Sequence, residues 1–212
     1  MTQGKNVRIA IQKRGRLQDP SLEFIRSLGF EFEKEKPGSL IIQCANAPVE
    51  VLFVRNSDIP EYVKAGAADF GIVGENIIYE RRETYNIIKR LGFGKCKLVI
   101  ASPKKSSLRK IEDLQDERIA TSYVNSLQKF LQKNNINASL ININGSVEIA
   151  PELGLADAIC DITQTGDTLK VYGLETIATL LESEAVFIES PFRNEKKNVI
   201  LKKIQYGDGK TC

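Results

Sequence analysis

The segment Asp161-Ile162-Thr163-Gln164-Thr165-Gly166-Asp167-Thr168-Leu169 brings together the residue types that cradle a monophosphate. Gly166 lets backbone amides approach a ligand closely. Thr165 and Thr168 add hydroxyl donors, and a helix start there would supply free N–H groups and a favourable dipole. The G-x-x-x-x-G-K-[ST] spacing is missing, so this is not a nucleoside-triphosphate P-loop. Asp167 sits inside the segment, and its carboxylate repels a phosphate unless it points outward. Read by itself, a T-G-x-T turn is also compatible with an ordinary strand-to-helix connection. Three acids precede it: Glu148, and Asp157 and Asp161 at opposite ends of one short strand. Carboxylates beside a phosphate cradle suit the 2- and 3-hydroxyls of a ribose, directly or through Mg²⁺.

A second group is cationic. Lys13, Arg14 and Arg16 follow a β-rich run, with Gly15 between them favouring a functional turn over a merely solvated one. Arg55 closes an apolar strand just before a helix start. Asp69 and Glu75 flank the Asp69–Gly74 strand and are candidates to line the same site, against a capping or solvated role. The chain holds no histidine. A Ser-His or Cys-His dyad is therefore ruled out, and so is a histidine acid or base. Cys44, Cys96, Cys160 and Cys212 show no C-x-x-C spacing, which argues for reduced thiols and against structural zinc. Cys96 lies between Lys95 and Lys97, a setting that can activate a thiol, but a packing role is the one expected.

The elements that must hold these groups alternate. Strands are expected at Val7–Ile11, Leu40–Ile42, Val49–Val54, Asp69–Gly74, Cys96–Ala101, Arg118–Thr121, Ser139–Ile143, Ala156–Ile162, Ile177–Leu181 and Ala185–Glu189. Asp19-Pro20 reads as a helix N-cap and first position, with Leu22, Ile25 and Leu28 as the stripe and Gly29 as the stop. Further helices are expected after Ser57, over Ser126–Asn134, over Val147–Leu155 and from Thr168. Such alternation predicts an α/β fold with mainly parallel sheets. Irregular stretches near residues 93 and 190 predict two lobes, 1–92 with 190–212 and 93–189, the second carrying the phosphate loop. In open α/β sheets, ligands bind at the carboxyl ends of the strands, so the site is expected in the cleft between the lobes.

With 212 residues, 42% hydrophobic and 27% charged, the chain can bury a real core. A net charge of +3 carried by scattered Lys/Arg pairs is too small to suggest a nucleic-acid binder. No apolar run approaches the roughly 18–20 residues a membrane span needs. Met1–Lys5 leads into a strand without a signal-peptide core, so a cytoplasmic location is expected.

The run Gly145 to Leu169, GSVEIAPELGLADAICDITQTGDTL, resembles the signature of ATP phosphoribosyltransferases, the first enzymes of histidine biosynthesis. The matching positions are Glu148, Gly154, Ala156, Ile159, Asp161, Ile162, Thr165, Gly166, Thr168 and Leu169. Arg8 to Leu17 (RIAIQKRGRL), Ser57 to Asn76 and Leu91 to Leu98 are similar to other blocks of the family, so the likeness covers residues 7 to 190. The resemblance implies two α/β lobes like those of periplasmic binding proteins. It also implies transfer of the phosphoribosyl group of phosphoribosyl pyrophosphate to N1 of ATP, with substrate-bound Mg²⁺ and release of pyrophosphate. Thr165, Gly166 and Thr168 would hold the 5-phosphate, with Asp167 in the same loop. Asp161 and Asp157 would face the ribose. Lys13, Arg16 and Arg55 would meet the phosphates of pyrophosphate or ATP. A homodimer is implied. Short members of the family also work with a subunit resembling histidyl-tRNA synthetase, whereas long members add a regulatory domain. A chain ending at Cys212 is expected to behave as a short form, although QKRGRL and IATSY are also similar to long forms. Two rival classes remain: a non-catalytic bilobal binder of a small anion or amino acid, and a phosphoribosyltransferase for another base.

Overall fold

The computed structural model describes residues 6–32 and 38–207, with only the backbone of 205–207. The expectations placed on Met1–Lys5 and on the tail beyond residue 207, Cys212 included, lie outside the described residues. In chain order the elements are β1 (Val7–Gln12), α1 (Gln18–Ser27), β2 (Ile41–Gln43), β3 (Val49–Val54), α2 (Ile59–Lys64), β4 (Phe70–Gly74), α3 (Glu75–Arg81) and β5 (Asn86–Arg90). There follow β6 (Cys96–Pro103), β7 (Arg118–Thr121), α4 (Val124–Lys133), β8 (Ser139–Asn142), β9 (Ala158–Thr163), α5 (Asp167–Val171), β10 (Leu174–Ser183), β11 (Ala185–Glu189) and α6 (Asn198–Gly207).

These form two compact units. The first comprises the chain to Ile78, Glu83–Gly94 and everything from Glu184; the second comprises Tyr79–Arg82 and Lys95–Ser183. β11 therefore lies with the first unit, whereas the sequence boundary at residue 190 had set it with the second.

The first unit is built on a six-stranded sheet of order β2-β3-β1-β4-β11-β5. β1 runs parallel to β3 and β4, while β2, β11 and β5 pair antiparallel. Successive side chains of a strand point to opposite faces, and the sequence uses both. Ile9, Ile11, Val51, Phe53 and Phe187 pack with Ile25 of α1 and Ile200 of α6. Ala10, Leu52, Val73 and Val186 pack with Ile59, Val63 and Ile78 of α2 and α3. Each fully buried side chain of this size adds about 1.5–3 kcal/mol to stability. Phe187 anchors the sheet centre, stacked on Phe70 at 5.1 Å and edge-on to Phe24 at 5.8 Å.

The second unit holds a five-stranded sheet, β10-β6-β9-β7-β8. Here β7 runs parallel to β8 and β9, and β6 and β10 are antiparallel. Both sheets are thus mixed, not mainly parallel. Alternation of strands and helices correctly signals the parallel ribbons β3-β1-β4 and β8-β7-β9. It does not signal the antiparallel direction of the flanking strands, which are joined by turns or by returning chain and so carry no crossover signal.

Two local expectations change. α1 starts at Gln18, one residue before Asp19, with Leu17 at the cap and no side-chain capping bond. The Val147–Leu155 segment is a single 3₁₀ turn, Val147–Ile149, followed by irregular turns. Pro151 has no N–H to continue a helix, and the chain instead closes with Leu155 N–H bonded to the Ala150 carbonyl at 3.0 Å.

Candidate functional site

In the second unit the parallel strands β7, β8 and β9 present their carboxyl ends at one edge of the sheet, with Thr121 level with Asn142 and Cys160. The phosphate-loop segment leaves β9 at this edge. Gly166 is the N-cap of α5 at φ +81°, a left-handed backbone that glycine adopts without strain. Its N–H donates to Thr163 Oγ1 at 3.0 Å, which curls the loop back on its strand. The Thr165 hydroxyl donates to Asp167 Oδ2 at 2.6 Å, and Lys170 Nζ donates to Asp167 Oδ1 at 3.2 Å. The Thr165 hydroxyl bond and then Lys170 hold the Asp167 carboxyl below its ordinary value. The repulsion expected of Asp167 is therefore blunted by a cation within the same turn. Thr168 is exposed, whereas Leu169 is buried in the core.

Asp161 is half-buried near the carboxyl end of β9, level with Val99 of β6. Glu148 lies in the 3₁₀ turn beyond β8, half-buried. Because β8 and β9 both run parallel to β7, Asp161, Glu148 and the loop belong to the same sheet edge.

Asp157 does not. It precedes β9 at the opposite, amino edge, where Arg118 binds it through Nε at 2.9 Å and Nη2 at 2.8 Å, and the Arg118 N–H adds a third bond at 2.9 Å. These bonds draw its carboxyl down to about 2, with Glu117 beside it pushed up by desolvation and by the Asp157 charge. The ribose role expected of Asp157 gives way to a structural ion pair.

In the first unit the cations gather in the same way. β1, β3 and β4 are parallel, so the ends of all three meet at one edge. Lys13 N–H bonds to the Val54 carbonyl at 2.7 Å, which sets the loop Lys13-Arg14-Gly15-Arg16 beside Arg55. All four cationic side chains are exposed, and none forms an ion pair among the described residues. Glu75 follows β4 at this edge but is 4% exposed and is paired with Arg90 of β5, so its carboxylate is spent inside the fold. Asp69 stands at the amino end of β4, on the far side of the sheet. Its two oxygens take the Arg8 N–H at 2.9 Å and the Asn194 side chain at 2.7 Å. Asp69 is thus removed from the cation edge, because a residue before a strand and one after it lie at opposite margins.

Cys96 and Cys160 are packing residues. Cys160 is fully buried, and burial pushes its thiol up. Cys96 is also buried, with its sulfur 3.3 Å from Ser183 Oγ, in keeping with the packing role expected of it, and Lys97 pairs with Glu182 at 2.7 Å.

The sequence model of the HisG family, ATP phosphoribosyltransferase, matches residues 55–206. An ATP phosphoribosyltransferase of Cytophaga hutchinsonii is 46% identical over 200 residues, covering 94% of this chain and 70% of the relative. The chain belongs to the ATP phosphoribosyltransferase family. Its activity is that of a pentosyltransferase at the first step of histidine biosynthesis. The solved ATP phosphoribosyl transferase (HisG:HisZ) complex from Thermotoga maritima superposes with a TM-score of 0.79 at 30% identity, covering 95% of this chain and 98% of that one. A substrate-binding protein of an amino acid ABC transporter shares the fold, with a TM-score of 0.61 at 14% identity over 96% of this chain and 93% of that one. The expected periplasmic-binding-protein architecture is therefore found, and in this chain it carries a transferase.

For an ATP phosphoribosyltransferase, several supporting residues escaped sequence reasoning. Glu80 caps α4 through the N–H groups of Asn125 and Ser126 at 2.8 and 2.9 Å. Arg118 and Arg90 neutralise two of the acids that had been set in the site. Gln12 braces the cation loop. Glu80, Arg90 and Arg118 act through partners distant in sequence, pairings no local motif announces.

Proposed function

We propose that the loop after β9 holds the 5-phosphate of phosphoribosyl pyrophosphate through Thr165, Gly166 and Thr168. Asp161, with Glu148 nearby, faces the ribose, and Lys13, Arg16 and Arg55 meet the phosphates of pyrophosphate or ATP. The observation that carries this reading is the family signature folding as strand, left-handed glycine and short helix, with its acids at the loop's own edge.

Displacement at C1 of a ribose passes through an oxocarbenium-like state. It needs a stabilised leaving group, negative charge near the ring and an aligned nucleophile. Exposed guanidinium and ammonium groups stabilise departing pyrophosphate. Asp161 supplies the compensating charge, and holding both substrates supplies alignment. N1 of adenine carries no proton at neutral pH, so no strong base is required, and a chain without histidine is sufficient. No group of three or more Cys, Asp or Glu side chains among the described residues could cage a metal ion. In this reading Mg²⁺ is carried by the pyrophosphate group, whose charge it would neutralise.

The assignment of a partner subunit resembling histidyl-tRNA synthetase is supported by the Thermotoga maritima relative, which was solved as a complex. A homodimer of the chain is part of the same proposal. No helix among the described residues is long and apolar enough to cross a membrane, which is compatible with the cytoplasmic location we assign.

The test is turnover of the purified chain with ATP, phosphoribosyl pyrophosphate and Mg²⁺, following pyrophosphate together with the absorbance of the N1-ribosylated nucleotide. Product supports the reading and shows the chain acting without a partner. No product, with saturable phosphoribosyl pyrophosphate binding that Thr165→Ala weakens, supports the site and points to a missing partner or domain. No product and no binding would overturn the assignment.

A further inference from the structure

The four residues from Lys13 to Arg16 form an exposed loop with three positive charges, and such a loop binds a phosphate well only when its backbone is held in advance. Three hydrogen bonds hold it. Lys13 N–H reaches the Val54 carbonyl at 2.7 Å, and Gln18 N–H reaches the Gly15 carbonyl at 3.2 Å. The third is a side-chain bond: Gln12 Oε1 accepts the Leu17 N–H at 3.0 Å. Its acceptor is defined by the N–H it faces, so the orientation of the carboxamide follows from the network. The Gln12 side chain therefore spans the loop from its first residue to its last.

Gly15 shows how closely the carboxamide is wrapped. Its φ is +116°, and a Cβ added there would stand 2.6 Å from Gln12 Nε2. The loop backbone is moulded over an amide, and glycine is the residue that permits it. Leu17, whose N–H is the donor, is itself buried, so losing the acceptor leaves an unsatisfied N–H in the interior.

We propose that Gln12 is a positioning residue of the transferase: it touches no substrate but fixes the loop that presents Lys13 and Arg16 to a substrate phosphate. This rests on the reading of Lys13 and Arg16 given above. The experiment is calorimetric titration of the chain with ATP and, separately, with phosphoribosyl pyrophosphate and Mg²⁺. Lys13→Ala and Arg16→Ala identify which ligand the loop holds. Gln12→Met, which keeps the length and removes the acceptor, is expected to weaken that same ligand about fivefold to tenfold. The other ligand should stay within twofold. Gly15→Ala, which pushes a methyl against the carboxamide, should give the same selective loss, and it serves if Gln12→Met does not fold. If Lys13→Ala and Arg16→Ala weaken one ligand while Gln12→Met and Gly15→Ala leave it unchanged, or weaken both ligands alike, the role of Gln12 is refuted and the cation reading stands. If neither cation variant weakens either ligand, the cation reading fails and the inference goes with it.

Discussion

Asp157 and Arg118 meet side-on, with both carboxylate oxygens engaged by the guanidinium and a third bond from the Arg118 backbone. The pair closes the amino edge of β7 against that of β9, the margin remote from the phosphate loop. Arg118 is half-exposed and Asp157 30% exposed, so solvent screens the attraction. We expect Asp157→Asn to cost about 1 kcal/mol at pH 7. The folded-state carboxyl is depressed to about 2. Its contribution is therefore fully present above the ordinary carboxylate value near 4 and fades as pH falls through about 2. Urea unfolding of the two proteins at pH 7 and again near pH 2 measures this; an equal gap at both would contradict the ion-pair origin.

The phosphate loop should answer to backbone conformation. An added Cβ at Gly166 meets no atom within 4 Å, so Gly166→Ala acts through its left-handed φ, at about 1–2 kcal/mol. Affinity for phosphoribosyl pyrophosphate is expected to fall about tenfold. Gly166→Asn, a residue that tolerates this region, should retain more of it. Ligand titration of the two variants decides; equal losses would mean that bulk, not φ, is at issue.

Glu80 accepts from the backbone N–H groups of Asn125 and Ser126 and from the Ser126 hydroxyl. It does for α4 what an N-cap side chain does from within a helix. Glu80→Ala should lower stability by about 1–2 kcal/mol. Chemical unfolding followed by far-ultraviolet circular dichroism measures it, and an unchanged midpoint would remove Glu80 from the cap.

Cys160 is fully buried, and burial raises its thiol pKa. It should resist iodoacetamide at pH 8 in the native protein and react once urea is added, whereas half-buried Cys44 should label first among the described cysteines. Peptide mass spectrometry after timed quenching reads both, and rapid native labelling of Cys160 would show that the core around β9 opens.

Local chemistry was legible in the sequence; partnership was not. The run from Ala156 to Leu169 announced a strand, a glycine turn and a helix, and each is present. Gly15 likewise marked a real turn. Asp69 and Asp157 looked like site acids because each stands near a motif in sequence. Which margin of the sheet they occupy depends on strand direction, and each has a cation or an amide brought to it from far along the chain: Arg118 for Asp157, Asn194 for Asp69. β5, which buries none of its residues fully, and α3 were not anticipated at all. The helix expected over Val147–Leu155 is a turn, because Pro151 has no N–H to continue it.

β11 lies between β4 and β5 in the first sheet. It is made only after the whole of the second unit, more than a hundred residues beyond Gly74, its neighbour in β4. A nascent chain that has emerged as far as Gly94 therefore has β4 with one margin bare and β5 with nothing to pair to in its sheet. Completion of the first sheet must wait for a segment translated only after the second unit, and a bare margin invites pairing with other chains meanwhile. Expression of residues 1–94 alone should yield aggregate, while supplying β11 directly after a short linker at Gly94 would let the first unit close on itself.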